Sequence, residues 1–170
     1  MSIHRLLELH DLAQQECQKY SRRRFLFHKV ERHEGRHFVG IVGARGTGKT
    51  VLLRQYALDH DDAFYLSADT LESDDNLWEL IQKLATHYGY RTFLLDEIHF
   101  LKDPTALLKQ IYDFLDVRIL FSSSVALAMR ASAHDLSRRV RLLELRVFSF
   151  REYLAFVHGS ALPPLSLEEI

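Results

Sequence analysis

Residues 37–58 read HFVGIVGARGTGKTVLLRQYAL and combine three patterns that decide the fold. Residues 37–42 are mostly apolar and predict a buried strand, whereas residues 49–58 carry apolar side chains at helical spacing. The connecting residues 43–50 match the pattern G-x-x-x-x-G-K-[ST]. In a chain of this length, a chance match has a probability on the order of one per cent. A strand that enters a helix through this pattern is typical of a loop that binds phosphate.

The residue types in this loop suit a nucleotide. Glycines let the backbone approach phosphate closely, and successive N–H groups at a helix N-terminus attract anions. We expect Lys49 to reach the β- and γ-phosphates and the Thr50 hydroxyl to ligate Mg²⁺. A glycine-rich turn without a ligand would leave Lys49 unexplained. The predicted nucleotide-binding residues are Gly43, Ala44, Arg45, Gly46, Thr47, Gly48, Lys49, Thr50 and Val51.

A second stretch, RTFLLDEIHF at residues 91–100, runs from a mainly apolar segment into two adjacent carboxylates. Taken alone, Asp96 and Glu97 would be interpreted as a solvated strand end. Beside a phosphate loop they predict a division of roles, because a strand-end Asp holds the Mg²⁺ shell in P-loop enzymes. We therefore assign Asp96 to the metal and Glu97 to a water that attacks the γ-phosphate.

Strand and helix patterns alternate along the rest of the chain. We predict further strands at 63–68, 91–97, 117–122 and 141–148. Helices are predicted over 3–20, from a Ser73 cap to Gly89, after the Asp103 cap with Pro104 at the first position, around 125–134, and after Ser149 with Glu152 at capping-box spacing. This alternation favours an α/β fold with a mostly parallel five-stranded sheet and helices on both faces. We divide the chain into an N-terminal helix and connector (1–35), a core (36–158) and a linker or start of a downstream helix or domain (159–170).

Composition sets limits on function. The chain has 170 residues, 47% of them hydrophobic, a formal net charge of −1 and one cysteine, Cys17. These values indicate a globular domain in a reducing compartment, and we expect a cytoplasmic protein without membrane segments. Seven arginines within residues 117–151 leave an anion or an acidic partner as an alternative to a solvated face. Nucleic acid is a candidate partner that no motif supports directly.

The ordered motifs resemble those of bacterial and archaeal AAA-type P-loop ATPases that carry a nuclease-like domain of unclear role after the ATPase module. The matching pieces lie within roughly residues 36–156 and read GARGTGKTVLLRQ, FLLDEIHFLKD, RILFSSSVALAM, DLSRRV and FSFREYL. The resemblance implies ATP and Mg²⁺ as ligands, and a sheet in which one additional strand separates the Asp-Glu strand from the phosphate-loop strand. It also implies partners, either further copies of the chain or a downstream domain.

Two further site residues come from the resemblance. The family usually has Thr-Gly-Ser-Ser after the fourth strand, where this chain has residues 121–124, FSSS. We choose Ser123 as the γ-phosphate sensor, although these serines would equally serve as helix caps. The family's Gly-Arg is Arg138-Arg139 here, so Arg139 takes the position of the Arg that stabilises phosphoryl charge, in its own or a neighbouring subunit.

Three functions remain open at this point. The first is an ATPase that uses Lys49, Glu97 and Arg139. The second is a nucleotide-dependent switch with little turnover, which the departures at Phe121 and Arg138 favour. The third, a small-molecule phosphotransferase, lacks an obvious Arg-rich lid. ATP is favoured by elimination, because the sequence has no recognisable guanine-reading Asn-Lys-x-Asp.

Overall fold

Five parallel strands form one sheet in the computed structural model, which describes residues 1–72, 76–125 and 136–159. The strands are β1 (Phe38–Val42), β2 (Ala63–Ser67), β3 (Thr92–Asp96), β4 (Arg118–Ser123) and β5 (Val140–Glu144). They lie in the order β2-β3-β4-β1-β5. All pairings are parallel. Because β4 lies between β1 and β3, the predicted fold class and the additional-strand order are confirmed.

Six α-helices accompany the sheet within the described ranges. They are α1 (Ile3–Cys17), α2 (Phe25–Glu31), α3 (Lys49–Asp59), α4 (Leu77–His87), α5 (Pro104–Phe114) and α6 (Phe150–His158). Two short 3-10 turns, Ala68–Thr70 and Ile98–Phe100, follow β2 and β3. None of the helices in these ranges is long and apolar enough to cross a membrane.

The sheet separates two hydrophobic cores. One core joins alternate strand residues, among them Phe93 and Phe121, to α4 and α5. The other joins the remaining strand residues, among them Leu94 and Leu120, to α2 and α3. Helix α1 contributes to both, through Leu6 and other residues on one side and Ala13 on the other. The alternation follows from the two-residue period of a strand, and it assigns each strand side chain to one face.

Several element boundaries differ from the predictions. Helix α1 ends at Cys17 instead of residue 20, and β5 ends at Glu144 instead of residue 148. The predicted Ser73 cap lies outside the described residues. Helix α4 begins at Leu77, and the Asn76 side chain accepts a hydrogen bond from the Glu79 N–H. Every residue of the segment 73–76, SDDN, can cap a helix, so the composition did not fix the position.

The helix caps predicted at Asp103 and Ser149 are confirmed, whereas predictions that fall outside the described residues are not tested. Asp103 caps α5, with Pro104 at its first position, and Ser149 caps α6 by accepting from the Glu152 N–H. Helix α2 was missed inside the segment treated as a connector. The helix predicted around 125–134 and nearly all of the linker at 159–170 lie outside the described residues. The division of the chain at residue 35 stays a prediction.

Candidate nucleotide site

The phosphate loop lies between the carboxyl end of β1 and the first turn of α3. Gly46 and Gly48 have φ values of 82° and 96°, which are left-handed conformations that glycine adopts readily. The Thr47 hydroxyl donates a hydrogen bond of 2.9 Å to the Ala44 carbonyl and closes the loop on itself. The loop therefore has a defined curvature before the helix begins at Lys49.

Gly43 is required by a close backbone approach. A Cβ atom at this position would lie 2.2 Å from the carbonyl oxygen of Leu145, which follows β5. The Leu145 N–H donates a 2.8 Å hydrogen bond to the carbonyl of Val42, the last residue of β1. The start of the loop is thus packed directly against the chain that leaves β5.

The Lys49 side chain is buried within the loop. Its ammonium donates hydrogen bonds of 2.9 Å to the carbonyls of Gly43 and Ala44. Burial lowers the pKa of Lys49, whereas the charges of Glu97 and Asp96 act to raise it. This influence arises because the loop and the acid pair meet at the carboxyl edge of the sheet. The structure therefore places Lys49, Asp96 and Glu97, three of the predicted site residues, at the same edge of the sheet.

Asp96 is buried and accepts hydrogen bonds at both carboxylate oxygens. The Tyr65 hydroxyl donates to Oδ2 at 2.7 Å, and the Ser122 hydroxyl donates to Oδ1. Strand alternation explains this arrangement. Tyr65, Leu94 and Leu120 belong to the core on the α3 face, and Asp96 and Ser122, two residues after Leu94 and Leu120, point to the same face. Burial and the neighbouring Asp96 raise the pKa of Tyr65, which keeps the phenol protonated and able to donate.

Glu97 has the one left-handed backbone among the described non-glycine residues, with φ at 50°. Its N–H donates a 2.9 Å hydrogen bond to the Ser122 hydroxyl. Its Oε2 accepts from the Ser124 hydroxyl at 3.1 Å and from the Ser124 N–H at 3.3 Å. His99 Nδ1 lies 3.2 Å from the same oxygen. A left-handed non-glycine residue costs about 1–2 kcal/mol, and such strain concentrates at functional sites.

Ser123, the predicted sensor, makes different contacts from its neighbours. Its side chain is fully buried, and its oxygen accepts a 3.2 Å hydrogen bond from the Val125 N–H. Alternation along β4 directs Ser122 to the face of Asp96 and Ser123 to the opposite face. The structure thus places Ser122 and Ser124, two serines that were not chosen, against the acid pair.

Arg139 lies at the amino ends of the strands, opposite the edge that carries the phosphate loop. It precedes β5, whose first residue Val140 is in register with Phe38 at the start of β1. At roughly 3.3 Å per residue, the length of β5 separates it from the phosphate loop by about 16 Å. Its guanidinium instead donates to both carboxylate oxygens of Asp113, at 3.1 and 2.9 Å. Within one chain, Arg139 is therefore not part of the cluster around Lys49.

A cavity of about 390 Å³ adjoins the phosphate loop. Gly46, Thr47, Gly48 and Val51 form one wall. The other walls come from the segment that joins α1 to α2 and from the region of α6, and comprise Lys19, Tyr20, Ser21, Arg22, Arg24, Phe148 and Phe156, with Leu52 and Gln55 of α3. The run SRRR at residues 21–24 is a weak sequence signal for one wall, whereas no motif marks Phe148 and Phe156. Arg45 is exposed and Thr50 is half-buried in the first turn of α3.

Comparison with protein families gives the relationship of the chain. A family model described as an AAA domain (AAA_14) matches residues 35–154, which is most of the chain. The chain belongs to this AAA family. A relative, the uncharacterized protein MJ1637 of Methanocaldococcus jannaschii, is 31% identical over 139 residues. The match covers 74% of this chain but 29% of the relative, so this AAA domain spans less than a third of that protein's length.

Solved AAA structures share the fold at low identity. A structure on katanin self-assembly has a TM-score of 0.51 and 22% identity, covering 86% of this chain and 53% of that one. The FIGL-1 AAA domain in complex with ADP has a TM-score of 0.52 and 19% identity, and the match covers 79% of this chain and 52% of that one. The Hsp104–ADP complex of S. cerevisiae has a TM-score of 0.57 and 17% identity, and the match covers 86% of this chain and 23% of that one. Family membership and fold together support a nucleotide-binding ATPase module.

Proposed function

We propose that this AAA domain binds ATP with Mg²⁺ and hydrolyses it. The observation that carries the proposal is that Lys49 and the acid pair lie at the same carboxyl edge of the sheet. Lys49 contacts Gly43 directly after β1, and Asp96 contacts Ser122, which is in register with Ile41 of β1. In open α/β sheets this edge is where ligands bind. A positive group that can contact phosphates and two carboxylates with distinct partners provide the elements of phosphoryl transfer.

The loop and the adjoining cavity divide the nucleotide between them. Backbone N–H groups of residues 43–50 and the N-terminus of α3 hold the phosphates. Lys49 exchanges its two carbonyl acceptors for phosphate oxygens, which compensates the cost of its burial. The base and ribose occupy the cavity, where Tyr20, Phe148 and Phe156 supply aromatic surface for a planar ring.

Asp96 and Thr50 are the residues that would hold Mg²⁺. Both offer oxygen atoms, the ligand type that Mg²⁺ prefers, and Mg²⁺ commonly uses one or two protein ligands beside phosphate oxygens and water. When bound, the ion would neutralise part of the negative charge on the phosphates. Tyr65 and Ser122 fix the Asp96 carboxylate in one orientation through their hydrogen bonds.

Glu97 is assigned as the base that accepts a proton from the attacking water. Its left-handed backbone follows directly after the end of β3, and the bond from its N–H to the Ser122 hydroxyl holds the backbone in that conformation. The Ser124 and His99 contacts all involve Oε2. We assign the water to Oε1. Ser123, which binds the Val125 N–H, is kept as a sensor candidate beside Ser124.

A nucleotide-dependent switch is the second candidate, and one observation favours it. The Glu97 carboxylate is engaged by the Ser124 hydroxyl and N–H, so hydrolysis needs a carboxylate that is also part of a hydrogen-bond network. Turnover then depends on how readily that network rearranges when nucleotide binds. Slow hydrolysis with tight binding would identify the switch.

The partners are proposed from the placement of Arg139. This residue lies far from the phosphate loop of its own chain, so its role in charge stabilisation requires a second copy. The katanin structure concerns self-assembly, which gives a precedent within the fold. A downstream nuclease-like domain, expected from the sequence resemblance, is proposed as the second type of partner.

The test is ATP hydrolysis measured against protein concentration, with Lys49→Ala, Glu97→Gln and Arg139→Ala. We expect Lys49→Ala to lose nucleotide binding and Glu97→Gln to bind without turnover. A rate per subunit that rises with concentration, and that Arg139→Ala abolishes, supports action of the arginine between subunits. Equal rates for Glu97→Gln and the unmodified protein would contradict the base assignment.

A further inference from the structure

A buried ion pair joins the phosphate loop to the last described helix. Arg24 Nε donates to Glu152 Oε1 at 2.8 Å, and Nη2 donates to Oε2 at 2.9 Å. Both side chains are buried, with 8% of the surface of each exposed. Arg24 immediately precedes α2, and Glu152 lies in the first turn of α6. The pair therefore connects two elements that are 128 residues apart in sequence.

The same guanidinium also reaches the loop itself. Its Nη1 donates to the carbonyl of Thr47, inside the phosphate loop, and its Nη2 donates to the carbonyl of Arg146 at 2.7 Å. The Phe148 ring lies 4.1 Å from the guanidinium carbon, a cation–π distance. One side chain thus fixes the loop, the chain that follows β5, and α6 at once.

Glu152 is held equally firmly. It accepts a 2.8 Å hydrogen bond from the Phe25 N–H at the start of α2 in addition to the Arg24 bonds. Burial acts to raise the pKa of Glu152, but the bonds from Arg24 and Phe25 outweigh it and lower the pKa. Only a planar fork with five donors makes all of these contacts together, so a lysine at position 24 would not replace the arginine.

We propose that Arg24 and Glu152 form a positioning pair that couples nucleotide binding at the phosphate loop to the docking of α6. The proposal rests on the nucleotide site proposed above. A ligand that orders the Thr47 carbonyl also orders Arg24, and through it Glu152 and the first turn of α6. By linkage, a partner that changes nucleotide affinity by moving α6 is itself bound more or less tightly, by the same factor, when nucleotide is bound.

The experiment uses the full chain with a fluorescent ADP analogue and amide hydrogen exchange of α6. In the unmodified protein we expect nucleotide to slow exchange over residues 153–158. Arg24→Lys should weaken nucleotide affinity by about tenfold and remove the slowing of exchange. Glu152→Gln keeps the size of the side chain and should have the same effects, and the double variant should be no weaker than the weaker single variant.

The matched control is Arg23→Lys. Arg23 is the preceding arginine, and it pairs with Asp59 at 2.7 Å outside the cavity wall. This variant should retain affinity and protection. A purely structural role predicts lower melting temperatures for Arg24→Lys and Glu152→Gln, with nucleotide affinity within twofold of the unmodified protein and protection intact. That result would overturn the coupling.

Failure of the nucleotide site would look different. If the unmodified protein and Arg23→Lys are both folded and neither binds the ADP analogue, the site itself is overturned. If both bind it and either Arg24→Lys or Glu152→Gln, once folded, binds and protects α6 equally well, only the coupling is overturned.

Discussion

The substitution Gly43→Ala tests the close contact between the phosphate loop and the end of β5. The new Cβ would lie 2.2 Å from the Leu145 carbonyl oxygen, and ordinary contact begins at 3.4 Å. The two backbone segments must therefore separate by about 1.2 Å. The contacted atom belongs to the backbone, which cannot rotate away as a side chain can. Separation stretches the 2.8 Å hydrogen bond from Leu145 to Val42 beyond bonding range.

The expected magnitude follows from two costs. Overpacking a well-packed site costs about 1–3 kcal/mol, and losing one backbone hydrogen bond adds about 0.5–1.5 kcal/mol. We therefore predict that Gly43→Ala lowers the free energy of unfolding by about 2–4 kcal/mol. Nucleotide affinity should fall as well, because the displaced residue carries one of the two carbonyls that hold Lys49.

The assay is urea unfolding, with Gly46→Ala as the matched control. A Cβ at Gly46 meets no atom within 4 Å, but φ is 82°, so only the left-handed penalty of about 1–2 kcal/mol applies. Gly43→Ala should therefore be the more destabilised variant. An unfolding free energy within about 0.5 kcal/mol of the unmodified protein would refute the proposed packing, since surface changes without a specific mechanism fall in that range.

Three further predictions concern the residues around the site. His10 is buried, its Nδ1 accepts from the Tyr65 N–H at 3.0 Å, and burial lowers its pKa below 6.5 despite the opposing charge of Asp11. The free energy of unfolding should therefore decline as pH falls below about 6.5, because the unfolded state binds the proton first. In urea unfolding at about pH 5 to 7, His10→Gln should show a shallower decline than the unmodified protein. Identical pH profiles for the two proteins would contradict this. Ser122→Ala should lower turnover about tenfold in a single-turnover assay, because Asp96 loses a donor and the Glu97 N–H loses its acceptor. Ser123→Ala should change turnover less than twofold; a larger effect of Ser123→Ala than of Ser122→Ala would contradict this and favour Ser123 as the sensor. Tyr65→Phe removes a hydrogen bond to a buried carboxylate and should reduce the unfolding free energy by about 1.5–3 kcal/mol, and an unchanged denaturation midpoint would show that the bond has no net effect.

Strands β1 to β4 were predictable because each is a short, mainly apolar run, whereas β5 carries Arg141 and Glu144 and ends earlier than predicted. The phosphate loop was predictable because its chemistry is local, with Lys49 and the glycines within eight residues of each other. The strand order was not accessible from spacing, and came from the resemblance to AAA-type proteins. A one-dimensional pattern does not record which parallel strands are neighbours.

Helix α2 was missed for a physical reason. It has seven residues, of which only Phe27 and Val30 are buried, and its surroundings in sequence are strongly charged. Two apolar positions do not define a helical period. The cavity walls were missed because Tyr20, Phe148 and Phe156 come from the two ends of the domain and meet only in three dimensions.

The choice among the serines illustrates the same limit within the site. Three consecutive serines offer the same hydroxyl, so composition does not distinguish them. The faces of the sheet do, because Ser122 shares the α3 face with Asp96 and Ser123 does not. Which serine lies beside the acid pair therefore depends on which face of the sheet carries α3, and the sequence does not record that face.

The central claim is that residues 43–50 bind ATP and that Glu97 activates the attacking water. Single-turnover hydrolysis of γ-labelled ATP, with protein in excess and Mg²⁺ present, tests it most directly. We predict phosphate release by the unmodified protein, bound but uncleaved ATP with Glu97→Gln, and no bound ATP with Lys49→Ala. Equal rates of phosphate release from the unmodified protein and Glu97→Gln, or ATP bound unchanged by Lys49→Ala, would contradict the claim.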